Sequence, residues 1–310
     1  MGIISKLYIK HFVCRYDKEV GVPYYSYLDF NGLVQEAYSF TNSKDINVRY
    51  FYYSYPKSKE DMIILFCHGI GPGHVAYLVE IEMLCRHGYK VLTLDYSGCG
   101  ESGGKYLGSL NSPTKDVMEL LDYLKLEKPV VLVGHSLGGY TALNVINLRK
   151  SVQKAVILSG FLSIPSLATS LLKNKFVVSR ILKYEEKVKP ELFKIDNVEY
   201  LKNTSDDLFF IQSEDDGMVP YSIGLKVVEG IDNQHIKTLK MNNRKHNPNY
   251  TESAVGYMNE VFGQYNYLLK KKRIKTNQQK IEFFKDVSID KMTEQDEELF
   301  DQIVDFINQN

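Results

Sequence analysis

Short apolar runs that recur between helix-patterned segments constrain this chain more than any other feature. Residues 62–67 (MIILFC), 90–94 (KVLTL), 130–133 (VVLV) and 155–158 (AVIL) show little or no polar alternation. A strand without alternation is one covered on both faces. The segments between them read as helices over 75–87, 112–125 and 137–149. In the second, Val117, Leu120, Leu121 and Leu124 share one face. The pattern resumes with a strand at 208–212, a helix near 221–229 and a strand at 236–241. Strands alternating with helices in this way predict an α/β chain with a doubly wound, mostly parallel sheet.

Other segments interrupt that rhythm. Residues 22–55 are rich in Tyr, Phe and Val, with turn signals at Asn31-Gly32 and Thr41-Asn42-Ser43, and predict hairpin strands. Residues 1–60 are therefore taken as a β-rich N-terminal segment joined to the sheet, with the core formed by 61–159 and 204–310. Between them, 160–203 is basic, helical in pattern and broken at Pro165 and Pro190. It is expected to be a helical cap over one end of the sheet. Ser112 is expected to cap a helix with Pro113 in its first turn. Residues 294–308 predict a closing helix with a stripe of Leu299, Phe300, Ile303, Val304 and Ile307, opened by a Thr293–Asp296 capping pair. The polar connection over 249–290 receives no assignment.

Composition narrows the function classes. The 310 residues carry 38 basic and 38 acidic side chains, so no global field favours nucleic acid or an acidic membrane. The four cysteines, Cys14, Cys67, Cys85 and Cys99, form no C-x-x-C pair, so no metal site is expected. They read as free thiols in a reducing compartment. Lys6, Lys10 and Arg15 interrupt the N-terminus, which makes a poor signal peptide. No run has membrane-spanning length, so stable membrane insertion is not expected. Lys6 at the sixth position argues against myristoylation. The expectation is a cytoplasmic protein; a homo-oligomer is compatible with the sequence.

The chemistry centres on Gly134-His135-Ser136-Leu137-Gly138-Gly139, a G-x-S-x-G pattern between an apolar strand and a helix. A sharp strand-to-helix turn there thrusts a serine oxygen out of the sheet. Gly134 and Gly138 must lack side chains for the turn to close. The helix N-terminus behind Ser136 favours negative charge developing in acyl transfer. A serine is a weak nucleophile unless a base, oriented by an acid, takes its proton. With such a turn the partners follow in the order acid, then histidine, at the C-terminal ends of later strands.

Only His235 and His246 follow Ser136. His235 precedes the 236–241 strand and falls at the wrong edge; His246 follows it and is the expected base. Glu214, Asp215 and Asp216 all qualify by position as the acid. Asp216 is preferred because Gly217-Met218-Val219-Pro220 follows it. The oxyanion hole needs two backbone N–H donors. Leu137 is one. Ile70, in the glycine-rich His68-Gly69-Ile70-Gly71-Pro72-Gly73, is expected to be the other. His68 precedes Ser136 and is read as a structural histidine.

Together these blocks resemble the α/β-hydrolase superfamily, in the branch of serine-aminopeptidase-like, monoacylglycerol-lipase-like and cinnamoyl-esterase-like enzymes. The blocks are His68-Gly-Ile-Gly, Asp95-Tyr-Ser-Gly-Cys-Gly-Glu-Ser102, Gly134–Gly139, Asp216–Pro220 and the loop bearing His246. The resemblance runs from about residue 45 to 308. It implies a serine hydrolase acting on a carboxylic ester or thioester through an acyl-enzyme, with no cofactor. Ser213 departs from it, standing where relatives commonly have Gly.

Other readings are weaker. Gly98-Cys-Gly-Glu-Ser-Gly103 also fits G-x-G-x-x-G, but Asp95-Tyr96-Ser97 separate it from the strand and no helix follows. The basic run 270–275 reads as a solvated loop rather than a nucleic-acid surface. Two alternatives to an esterase stay open: a small-peptide or amide hydrolase, and a non-catalytic binding protein that keeps the fold.

Overall fold

The structure is a computed structural model and describes residues 2–59 and 61–309. Among these, eight strands form one sheet in the order β1-β2-β4-β3-β5-β6-β7-β8. They are β1 (Val34–Thr41), β2 (Asn47–Ser54), β3 (Ile63–Cys67), β4 (Lys90–Leu94), β5 (Val130–His135), β6 (Val152–Leu158), β7 (Asp207–Ser213) and β8 (Ile236–Met241). β1 pairs with β2 and β2 with β4 antiparallel; every other pairing is parallel. This is the doubly wound α/β arrangement that the apolar runs predict.

Strand periodicity sorts the core into two layers. Leu65 and Cys67 of β3 enter one layer beside Leu120, Leu143 and Ile157. Ile64 and Phe66 enter the other, beside Ile81, Leu84, Phe300 and Ile303. Apart from Ile157 of β6, these partners come from α2 (Leu78–Arg86), α3 (Ser112–Leu124), α4 (Leu137–Leu148) and α13 (Glu297–Asn308). All five β3 residues are buried, whereas β8 has only half-buried and exposed positions and carries Lys237 and Lys240 outward at the sheet edge.

Several local expectations shift by a few residues. Ser112 is the first helical residue, not the cap; Asn111 holds that position without a side-chain capping hydrogen bond. α13 is capped by Asp296, which accepts from Leu299 N–H at 3.1 Å, and Thr293 lies outside it. The helix expected at 221–229 is only a one-turn 3-10 segment, Tyr221–Ile223, followed by α9 (Leu225–Val228).

Three further stretches are helical. Residues 3–11 form a helix, α1 (Ile3–His11), ahead of the hairpin, so the strands of the N-terminal segment begin only at Val34. Between β6 and β7 lie α5 (Ile164–Leu171), α6 (Lys175–Val188), α7 (Pro190–Phe193) and α8 (Asn197–Asn203). α1 packs on α6: Glu185, fully buried, accepts from Tyr8 Oη at 2.6 Å and from Ser109 Oγ at 2.5 Å. The 249–290 stretch contains α10 (Glu252–Lys270), α11 (Asn277–Phe284) and α12 (Ile289–Met292). α10 and α11 enclose a separate small core of Val261, Tyr265, Ile274 and Phe284. Among the described residues no helix is long and apolar enough to cross a membrane.

Candidate active site

Ser136 follows directly on β5 and takes φ +57°, ψ −119°, a conformation that L-residues rarely adopt. It persists because the surroundings over-determine it. A Cβ at Gly134 would strike the carbonyl of Gly138, and one at Gly138 would strike that of Cys67. Ser136 N–H donates to the Leu158 carbonyl at 2.8 Å, and its own carbonyl accepts from Tyr140 N–H at 3.0 Å. The serine thus sits on a tight turn with the first residue of α4 immediately behind it.

His246 lies in the loop after β8, where Asn243 and Lys245 both have positive φ. Its Nε2 stands 2.8 Å from Ser136 Oγ. Its Nδ1 stands 3.0 and 2.9 Å from the two carboxylate oxygens of Asp216. Asp216 is buried, and its Oδ1 also accepts from the N–H groups of Met218 and Val219, both at 2.9 Å. The D-x-x-V-P turn is therefore a cradle of donors around the carboxylate. The other two acids point elsewhere: Asp215 binds Ser213 Oγ and Lys245, and Glu214 pairs with Lys240. His235 is at the opposite edge, 3.0 Å from Asp207.

The loop after β3 reaches this site as well. A Cβ on Gly69 would lie 3.3 Å from Ser136 Cβ. Ile70 is the next residue and is partly exposed. Leu137 is the first residue of α4, where backbone N–H groups lack intrahelical partners. His68 is fully buried and stacked on Tyr96; its Nδ1–H donates to the Gly69 carbonyl at 2.7 Å and its Nε2 accepts from Tyr96 N–H at 3.3 Å. Burial lowers its pKa to about 4, so it holds the loop as a neutral ring.

Sequence reasoning missed several supports. His135, the first variable residue of the G-x-S-x-G pattern, donates Nε2–H to the His246 carbonyl at 2.7 Å and accepts from Tyr77 Oη at 3.0 Å through Nδ1. Burial, followed by the neighbouring His246, lowers its pKa to about 3 and keeps it neutral. Gln212 braces the acid turn, donating to the Val219 carbonyl at 2.6 Å and accepting from Leu225 N–H at 2.8 Å. A polar residue inside the apolar LFFIQS run was the available signal. Ser213 joins the acid turn to the histidine loop, because its Oγ also accepts from Arg244 N–H at 3.1 Å.

The Asp95 block is architectural. The Asp95 carboxylate accepts from His74 N–H and Nδ1–H, each at 2.7 Å, and from Glu101 N–H at 2.8 Å. It thereby ties the loop after β3 to the loop after β4. Among the described residues no group of three or more His, Cys, Asp or Glu side chains has the geometry to hold a metal.

Comparison with known proteins agrees with this architecture. Residues 58–208 match the model of the serine aminopeptidase family S33. The bovine lysophosphatidylserine lipase ABHD12 is 31% identical over 185 residues, covering 55% of this chain and 45% of the lipase. The chain thus spans a little under half the length of the curated relatives it matches. An esterase structure from Pyrococcus furiosus superposes with TM-score 0.58 at 18% identity, covering 83% of this chain and 98% of the esterase. Est1E from Butyrivibrio proteoclasticus, solved with ferulic acid, superposes with TM-score 0.57 at 18% identity, covering 73% and 97%.

Proposed function

We propose, from the premise that this chain belongs to the α/β-hydrolase superfamily, that it is a serine hydrolase that cleaves a carboxylic ester or thioester through an acyl-enzyme. The observation that carries the reading is the unbroken hydrogen-bond chain from Ser136 Oγ through His246 to Asp216, which joins residues 110 and 30 positions apart. Side chains so far apart in sequence are seldom aligned donor to acceptor without a chemical role.

In this reading Ser136 Oγ attacks the substrate carbonyl while His246 Nε2 takes its proton. Asp216 holds the ring with Nδ1–H toward the carboxylate and stabilises the imidazolium that forms. The oxyanion is met by the N–H groups of Leu137 and Ile70. His246 then returns the proton to the leaving alcohol or thiol, and water, activated by the same imidazole, releases the acid. The helices α5–α8 leave the sheet after β6, on the rim that bears Ser136. They are assigned here as a cap over the core of 61–159 and 204–310. The esterase and lipase names of the relatives favour an ester over an amide substrate. A cytoplasmic location is part of the proposal, supported by four thiols without a disulfide partner.

A fluorophosphonate probe tests the nucleophile. It should label the wild-type protein and not Ser136→Ala. Absence of labelling in folded wild-type protein would overturn the reading. p-Nitrophenyl esters of two to sixteen carbons, beside feruloyl and peptide substrates, then define the acyl group.

A further inference from the structure

Away from Ser136 and its partners, four lysines from separate parts of the chain surround one cavity of about 330 Å³. Lys44 comes from the β1–β2 turn and Lys105 from the loop after β4. Lys115 lies on α3, and Lys189 stands between α6 and α7. Lys189 is only 4% exposed. Its ammonium makes no hydrogen bond or ion pair with the described residues. A partly desolvated ammonium without a carboxylate partner is costly, and a bound counter-charge would relieve that cost.

The carboxylates nearby do not fill that role. Asp116 is taken up by Ser97 N–H, Ser97 Oγ–H and the Asn42 amide. Glu119 is taken up by the backbone and hydroxyl of Ser43 and by Lys115 at 3.5 Å. Lys44 and Lys105 pair with no carboxylate among the described residues. A second, independent signal comes from α3, a helix of 13 residues whose first turn lines the cavity. Ser112 at its start is 5% exposed, lines the cavity, and its hydroxyl has no hydrogen-bond partner among the described residues. A spare hydroxyl donor and several ammonium groups together favour a compact multivalent anion.

We propose that this cavity binds a phosphoryl group, as inorganic phosphate or a phosphomonoester, held by Lys44, Lys105, Lys115, Lys189 and the Ser112 hydroxyl. The volume admits the phosphoryl group with a small organic substituent. Because Lys189 belongs to the inserted helices, Lys44 to the N-terminal segment and the other groups to the core, the bound anion links all three. The proposal is independent of the hydrolase reading, since it uses none of the residues around Ser136.

Burial, followed by repulsion from Lys44 and Lys115, lowers the Lys189 pKa to about 8, against the opposing pull of Glu191 and Asp116. A bound dianion should raise it again, which gives a readout separate from activity.

The test titrates the full chain with inorganic phosphate, glycerol 3-phosphate and vesicles containing phosphatidic acid, each against chloride of equal ionic strength. The midpoint of thermal unfolding should rise with phosphate beyond the chloride control, and the Lys189 ammonium should titrate at higher pH. Lys189→Met should weaken binding at least about tenfold. Lys44→Ala, at an exposed position, should weaken it by roughly threefold or more. Binding of the soluble phosphates assigns a free ligand. Binding confined to the vesicles, and lost in both variants, assigns a lipid headgroup. The proposal is overturned if no phosphate source outperforms chloride, or if Lys44→Ala binds as tightly as wild type. The second criterion stands even if Lys189→Met fails to fold.

Discussion

Two carboxylate–imidazole pairs lie at the C-terminal rim of the sheet, and their geometry is nearly the same. Asp216 meets His246 Nδ1 at 2.9 Å, and Asp95 meets His74 Nδ1 at 2.7 Å. Both carboxylates are buried, and both also accept backbone N–H groups. The difference is at the far side of each ring. His246 Nε2 faces a serine hydroxyl held on a strained turn. His74 is sealed in, with its ring 4.0 Å from that of Phe51. A buried acid–histidine contact is therefore no catalytic signature by itself. What matters is whether the second nitrogen is left facing a group that can lose a proton.

Substitutions in the two pairs should separate chemistry from architecture. The largest effect is expected at the hydroxyl: Ser136→Ala should lower kcat/KM for an activated ester by about 10⁶-fold while leaving the unfolding midpoint nearly unchanged. Asp216→Asn should cost about 10⁴-fold in kcat, because the amide favours the wrong imidazole tautomer. Retention of full turnover in that variant would erase the proposed distinction between the pairs.

Asp95→Asn should act on stability instead. It removes a carboxylate that binds three donors on two loops, a loss of about 3 kcal/mol measured by urea unfolding. The kcat of the protein that stays folded should fall far less than in Asp216→Asn. A larger kcat loss in Asp95→Asn would make this pair part of the reacting machinery.

Glu80 sharpens the contrast, being a buried carboxyl with no imidazole partner. Burial raises its pKa from 4.5 to about 7, with Asn249 offering only a 3.2 Å amide donor. For Asp95, burial pushes upward too, but His74, His68 and the Glu101 N–H together outweigh it and hold the carboxyl below its ordinary value. The sign for Glu80 follows from proton binding. Between about pH 4.5 and 7 the folded state keeps a proton that the unfolded chain releases, so stability falls as pH rises, and the penalty is complete above 7. Glu80→Gln should therefore stabilise the fold by about 1–3 kcal/mol at pH 8 and by almost nothing at pH 4. Denaturant curves at the two pH values check it, and equal shifts at both would contradict the linkage. The smallest effect is expected at Asp215, which faces Lys245 rather than the imidazole: Asp215→Asn should change kcat/KM by less than about threefold.

Much of this was legible in residue order. The apolar runs 62–67 and 130–133 needed no tertiary information, because strand burial on both faces leaves its mark on adjacent side chains. The turn at Ser136 was legible too, although only Gly134 is demanded by backbone a few residues away, whereas Gly138 is demanded by the Cys67 carbonyl on β3. Less visible was Gln212, whose polarity stood out while its partners, the Val219 carbonyl and Leu225 N–H, did not. Hidden altogether was α10–α11, whose apolar positions are too dispersed to declare a face until they meet each other.

What the sequence determined by itself was the parallel α/β sheet, the position of the serine turn and the two short segments that supply the proposed base and acid. These follow from interactions within a strand or a turn, where neighbours in the chain are neighbours in space. Only the tertiary structure decided which of three consecutive acids meets His246, that Asp95 serves His74, and that lysines from four segments share one cavity. Those outcomes depend on side-chain direction across segments as distant in sequence as Lys44 and Lys189, and direction at that range is set by packing rather than by pattern.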